Sequence, residues 1–415
     1  MNLKLNLKTK IVTLSFLFFI FFWSFSIYEN FQLRYFIIIP FILSFLEKDN
    51  FSNINFKFFV LIPIFLITHY ILTNFINSTS FYLRDFLSII FLTIVVYTFL
   101  IYRLLIIKEF ANILKLYFIL LVIFSLVSNK SMDVGSCSAS LYQLFPILKI
   151  LPLSKGFFLE NSHLAMMNIG SIISGIYICF KKKDLFLLTL VILSLIINLL
   201  HISTTFILGY ILCSILFILI TKKKSFQIFL AVTSIIFSVF FYQSYDCNKK
   251  YKSINIEDIK NENIERKKAG ELTASIYERS IILSLRTLKN NPLGWGYDGT
   301  IKATKEYFIF RENKNLFIEK GMWELNLRDA LGNIFKLTIE FGFFTIILFF
   351  LFVIYLKKIK ITEFEIFIIS LFVVQLFRGA GYINGGFILA FTEVFILKYL
   401  IINNRHLKRK SPNFF

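Results

Sequence analysis

The feature that most constrains this chain is a series of apolar stretches, many of them about 18 residues or longer, that recur along its whole length. A helix of that length crosses the hydrocarbon core of a bilayer. The 415 residues are 57% hydrophobic, against roughly 45–50% apolar in soluble domains, and the mean hydropathy is +0.72. The expected fold is therefore all-α, a polytopic integral membrane protein. Hydropathy places about twelve spans, near 11–28, 31–46, 56–76, 83–107, 110–127, 157–180, 185–200, 202–221, 225–242, 331–356, 363–377 and 387–402. The basic start, Met1 to Lys10, leads into Ile11–Tyr28 with no small-residue cleavage site, which reads as a retained first helix.

Charge orients these spans. The net charge of +20 would point to nucleic acid in a soluble protein. Here many of the lysines sit in short blocks between apolar runs, and no nucleic-acid-binding motif accompanies them, so no nucleic-acid partner is expected. Lys4, Lys8 and Lys10, the blocks Lys181–Lys183, Lys222–Lys224 and Lys357–Lys360, and the tail Arg405–Lys410 fall on one side of a twelve-span threading. By the positive-inside rule that side is cytoplasmic, with both termini inside. Three regions follow: an N-terminal bundle of about nine spans over 1–242, an outward loop over 243–330, and C-terminal spans with a cytoplasmic tail over 331–415. A second outward segment covers Ser128–Gly156. In the large loop, Ile276, Ile281, Ile282, Leu285 and Leu288 have helical spacing, and Asn290-Asn291-Pro292 ends the pattern. The loop is expected to be partly helical. The chain shows no internal repeat, which counts against repeat-built transporters.

Cys179 and Cys213 fall inside spans and read as packing residues. Cys137 and Cys247 fall one in each outward segment, where disulfides form. A Cys137–Cys247 bridge and two free thiols both fit that placement.

Lysine outnumbers arginine about three to one, so the positions that keep arginine are informative. Arg34, Arg84, Arg266, Arg279, Arg286, Arg311, Arg328 and Arg378 all map to the outer half, whereas only Arg103, Arg405 and Arg409 map inside. The guanidinium fork binds phosphate oxygens bidentately. As a group the outward arginines suggest a phosphate-bearing ligand at the outer surface. Singly, each also fits a structural ion pair, as at Arg84-Asp85 and Arg328-Asp329. Arg279 and Arg286 are seven apart, two turns on one helical face.

Three segments carry the remaining signal. Gly156-Phe-Phe-Leu-Glu160-Asn-Ser-His163-Leu-Ala165 opens the sixth span, with Glu160 and His163 on one face. An N-terminal cap is the plainer role for that pair. Arg286-Thr-Leu-Lys-Asn-Asn-Pro292-Leu-Gly294-Trp-Gly296-Tyr297 turns sharply, and its bare backbone N–H groups suit an anion. Asp329-Ala-Leu-Gly-Asn333 runs into a span carrying Glu340-Phe-Gly342, and Arg378-Gly-Ala-Gly-Tyr382 joins the last two spans. An interfacial Arg–Tyr anchor is the plainer reading of that last turn.

Taken in order, these segments resemble the O-antigen polymerase (Wzy) family, within the O-antigen polymerase and ligase superfamily. In that family an E-x-S-H-x-A-like segment opens a middle span, an R…N-P-x-G-x-G segment lies in a large outer loop, and an E-x-G span follows. The resemblance covers about residues 150–390. Ligases of the superfamily carry a His-Asn pair before the E-x-G span. Asp329-Ala-Leu-Gly-Asn333 lacks that histidine, which favours polymerase and leaves the catalytic base open.

The resemblance implies a metal-independent glycosyl transfer without cofactor. Undecaprenyl-pyrophosphate-linked oligosaccharide would be the substrate, in the bacterial inner membrane, with membrane lipid and a chain-length regulator protein as further partners. Arg279, Arg286 and Arg378 are then assigned to the pyrophosphate, with Gly294, Gly296, Arg328 and Tyr382 beside it. Glu160 or His163 removes the acceptor proton, Asp329 being the alternative. The competing functions are O-antigen ligase and a flippase of the same lipid-linked sugars.

Overall fold

A computed structural model describes residues 2–23, 25–28, 31–45, 56–77, 82–127, 154, 158, 160–201, 203–247, 269–308, 330, 332–359, 361–379 and 381–396. These residues are helical apart from turns and one short hairpin. The helices are α1 (Asn2–Phe21), α2 (Ile38–Phe45), α3 (Phe56–Ile76), α4 (Leu83–Val127), α5 (Asn161–Lys182), α6 (Leu185–Leu200), α7 (Thr204–Ile220) and α8 (Lys224–Cys247). They continue with α9 (Ala269–Asn290), α10 (Thr300–Phe308), α11 (Asn333–Phe341), α12 (Phe344–Lys358), α13 (Glu363–Phe377) and α14 (Phe387–Phe391). The hairpin pairs β1 (Ser26–Tyr28) with β2 (Phe31–Gln32), antiparallel.

Among the described residues, two helices, α4 and α5, are long and apolar enough to cross a membrane. Other helices are apolar but shorter. The expected second span over 31–46 is instead a hairpin strand, a 3-10 turn and the eight-residue α2. The expected tenth span over 331–356 is broken at Gly342 into α11 and α12.

The expected fourth and fifth spans form one uninterrupted helical stretch, α4, of 45 residues. Its two ends nevertheless lie together. Arg84 and Ser88 line a cavity with Arg34. Phe124 packs on Phe25, whose carbonyl accepts the Leu33 amide. A straight helix would separate residues 88 and 124 by about 54 Å, at about 1.5 Å per residue. The stretch therefore folds back on itself. It holds neither Pro nor Gly, the usual causes of a kink. Phe364 of α13 touches both Phe99 and Phe110 on either side of the fold.

α5 and α13 form the centre of the bundle. They run antiparallel, with Lys181 bonded to Glu363 at one end (3.0 Å) and Arg378 near Glu160 at the other (3.7 Å). Close approach is possible because Gly170 faces the Phe367 carbonyl; an added Cβ would sit 3.1 Å from it. The first of these ends carries further ion pairs. Lys115 meets Asp184 (2.5 Å), the N-cap of α6, and Arg103 pairs with Glu393 and with Glu365 (3.7 Å). The flanks are apolar and open: Leu185, Leu219, Ile228, Phe350 and Phe75 are all exposed. Apolar side chains left uncovered on so many helices are at home in lipid rather than water.

Candidate functional site

The loop after α9 builds the site. The helix expected over Glu271–Lys289 is observed as α9, and it ends at Asn290 before Pro292. Gly294 (φ +85°) and Gly296 (φ +81°) then turn the chain onto the end of α11. The break at Gly342 frees carbonyls there, and the loop satisfies them. Trp295 N–H donates to Ile339 O (2.9 Å), Gly296 N–H to Glu340 O (3.0 Å), and Phe343 N–H returns a bond to Pro292 O (2.9 Å). A Cβ on Gly294 would sit 2.3 Å from the Glu340 carbonyl oxygen, and one on Gly342 1.9 Å from that of Pro292.

The expectation that these amides grip an anion is thereby corrected. Gly294 N–H donates to Asn291 O (2.8 Å), so all three amides over 294–296 are already spent on backbone. The glycines serve close approach. The loop is also tied to α3, through His69 Nε2 and Leu293 O (3.1 Å) and through Asn291 Nδ2 donating to Asn77 Oδ1 (2.9 Å).

This anchoring presents Tyr297 and Asp298. Asp298 sits at φ +55°, a left-handed conformation that Asp and Asn tolerate better than most residues. Its Oδ1 lies 3.5 Å from Lys336 Nζ, which lies equally 3.5 Å from Glu340 Oε1, one turn along α11. Glu340 is fully buried, and Tyr382 OH donates to its second oxygen (2.7 Å). Lys336 lies over the Tyr382 ring, 5.1 Å from its centroid. Burial is the main cause that pushes the Tyr297 and Tyr382 phenols above their ordinary range. These contacts hold a buried lysine between two carboxylates, an arrangement that is stable only when its charges are compensated.

A cavity of about 250 Å³ opens beside this network, lined among others by Arg34, Arg84, Asp298, Lys336, Tyr297 and Tyr382. Three cations thus face one carboxylate. Arg34 is held in place by a bond to Asn384 Oδ1 and by Tyr35, whose ring lies 5.2 Å from the guanidinium. Next to it lies an apolar cleft of about 400 Å³ between α3, α4, α11, α12 and α14, lined by residues such as Phe65, Leu92, Phe344 and Phe391. Tyr297 and Tyr382 line both spaces. The arrangement can hold an anionic head in one compartment and a hydrocarbon tail in the other.

No family model, curated protein or solved structure matches this chain.

The site residues expected from sequence divide into two groups and a remainder. Glu160, His163 and Arg378 do come together at the mouth of α5. Glu160 Oε2 accepts from Ser162 Oγ (2.9 Å) and lies 3.7 Å from Arg378 Nη2 and 3.8 Å from His163 Nε2. Trp23 packs edge-on against His163 (5.1 Å). Arg279 and Arg286 both lie on α9. Arg279 is buried, and burial lowers its guanidinium to about 10. Arg286 donates to Tyr307 O (2.9 Å) and lies over the Tyr307 ring, bracing α9 on α10. The cationic cavity is lined by Tyr382 but by none of Arg279, Arg286 and Arg378. Cys137, Arg328, Asp329 and the side chain of Cys247 lie outside the described residues. Among the described residues no group of three His, Cys, Asp or Glu is placed to hold a metal ion.

Sequence reasoning passed over Asp298, Lys336 and Glu340 as chemistry. A signal was present: Lys336 and Glu340 are charged residues four apart inside an otherwise apolar run, where ionisable groups mark function.

Proposed function

We propose that this chain polymerises undecaprenyl-pyrophosphate-linked oligosaccharide repeat units into O-antigen or a related surface polysaccharide. The reading places it in the bacterial inner membrane as a multi-span protein, with the site on the periplasmic face and both termini cytoplasmic. The observation that carries it is the cationic cavity sharing two tyrosines with an apolar cleft. A polyprenyl diphosphate has that same division, a dianionic head on a hydrocarbon chain. The end bearing Lys181, Lys115 and Arg103 is the other end of the α5–α13 pair, as a lysine-rich cytoplasmic side requires. The two arms of the folded α4 suit two crossings. The ordered motif segments resembling O-antigen polymerases supply the reaction.

In that reaction the anomeric carbon of the growing chain is attacked by a hydroxyl of a new lipid-linked unit. The leaving diphosphate needs preorganised positive charge, and Arg34, Arg84 and Lys336 provide it. The apolar cleft holds the prenyl chain close to the headgroup.

The test is deletion of the gene, followed by gel analysis of surface polysaccharide. The expected result is collapse of the long-chain ladder to a single repeat unit on the lipid core. Complete absence of repeat units would indicate the ligase instead, and units accumulating on the cytoplasmic face would indicate the flippase. An unchanged ladder overturns the reading.

A further inference from the structure

We propose that Asp298 is the group that takes the proton from the acceptor hydroxyl, with Lys336 and Glu340 positioning its carboxylate. The inference rests on the polymerase reading above and names the residue which that reading leaves open.

Four observations carry it. First, Asp298 is the carboxylate on the wall of the cationic cavity, with its side chain 17% exposed. Second, its neighbour Glu340 is fully buried and already accepts from Tyr382 and lies by Lys336 and Thr300. Glu340 therefore offsets Lys336 from below, and Asp298 remains the carboxylate that meets an incoming molecule. Third, the chain holds a non-glycine residue at φ +55° here, just after Trp295 and Gly296, whose amides bond to α11. Strain of this kind gathers where a side chain must be aimed. Fourth, Arg34 and Arg84 line the same small cavity, so base and leaving-group site are adjacent. At about 250 Å³ the cavity falls below the roughly 300–1,000 Å³ of sites for drug-sized ligands, so it encloses the reacting groups and not a whole oligosaccharide.

Glu160 makes a poorer base. Its side chain is 58% exposed and already shared among Ser162, Arg378 and His163.

The acceptor oxygen forms a bond to the anomeric carbon of the donor sugar. The bond from that carbon to the diphosphate oxygen breaks, and its electron pair leaves on the diphosphate, held by Arg34 and Arg84. The acceptor proton passes to a carboxylate oxygen of Asp298, and later to water.

The experiment uses membrane vesicles containing the full chain, supplied with lipid-linked repeat unit from a polymerase-deficient strain. Asp298→Asn is chosen because Asn also tolerates the left-handed conformation. Its expected effect is a fall in kcat of about 10²–10⁴-fold, the usual contribution of a general base, with KM and protein level near wild type. Asp298→Glu should recover part of the rate. Wild-type kcat in Asp298→Asn overturns the assignment. So does loss of turnover in Glu160→Gln with Asp298→Asn active. Should the Asn variant not accumulate, Asp298→Gly fits the same backbone without a carboxylate, and an active Gly variant likewise overturns it. Wild-type vesicles that fail to extend the repeat unit overturn the polymerase reading itself, a result separable from failure of Asp298 alone.

Discussion

Arg34 and Arg286 show how differently two outward arginines can be used. Arg34 is oriented by Asn384 and Tyr35 toward a cavity, whereas Arg286 is spent on the Tyr307 carbonyl and ring. Arg34→Ala is expected to lower polymer synthesis by about 10²–10³-fold, roughly 2.7–4 kcal/mol of lost transition-state stabilisation. Arg34→Lys should stay poor, because an ammonium lacks the planar fork. Ladder length at matched protein level measures both, and full synthesis in the Lys variant would remove the bidentate argument. The bias of arginine toward the outer half was legible in the sequence, and it included Arg34 and Arg84. Which arginines line a cavity was not. The seven-residue spacing of Arg279 and Arg286 fixes a shared face but not what that face meets: Arg279 is buried, while half-buried Arg286 meets Tyr307. Asp298 was hidden for a related reason. Its position depends on a loop whose hydrogen-bond partners are some forty residues further along the chain.

Secondary-structure elements were read well where they are amphipathic or sharply ended, and poorly where they break within an apolar run. α9 was legible because Pro292 stops it and its apolar positions repeat at helical spacing. The split of α11 from α12 was not, since hydropathy averages across Gly342 and sees only continuous Phe, Ile and Leu. The break matters because it frees the carbonyls on which the site loop is seated. Gly342→Ala would place a Cβ 1.9 Å from the Pro292 oxygen at φ +56°. It should therefore destabilise the protein by more than about 1 kcal/mol, seen as a lower melting temperature in detergent. Unchanged melting would show that the loop is not seated on α11 as described. The fold in α4 escaped in the opposite sense. Hydropathy separates two spans, at 83–107 and 110–127, whereas the chain runs through both without leaving helical geometry.

At the scale of the whole molecule, the lysine blocks of the sequence carry the proposed two-sided topology. Lys222 and Lys305 are both exposed, and the proposed topology puts them on opposite sides. Lys305→Cys should react with a membrane-impermeant maleimide in intact spheroplasts, and Lys222→Cys only after permeabilisation. Equal labelling of both before permeabilisation would overturn the two-sided arrangement. The all-α class was likewise evident from composition, whereas the count of twelve crossings rests on windows that the helices only partly reproduce.

The doubling back of α4 also sets an order of assembly. α1 is made before α4, yet its rings close on Phe99 from one arm and on Tyr117 from the other, and Phe22 just after it closes on Phe124. α1 therefore waits for roughly a hundred residues of later synthesis, or more, before its own surroundings are complete.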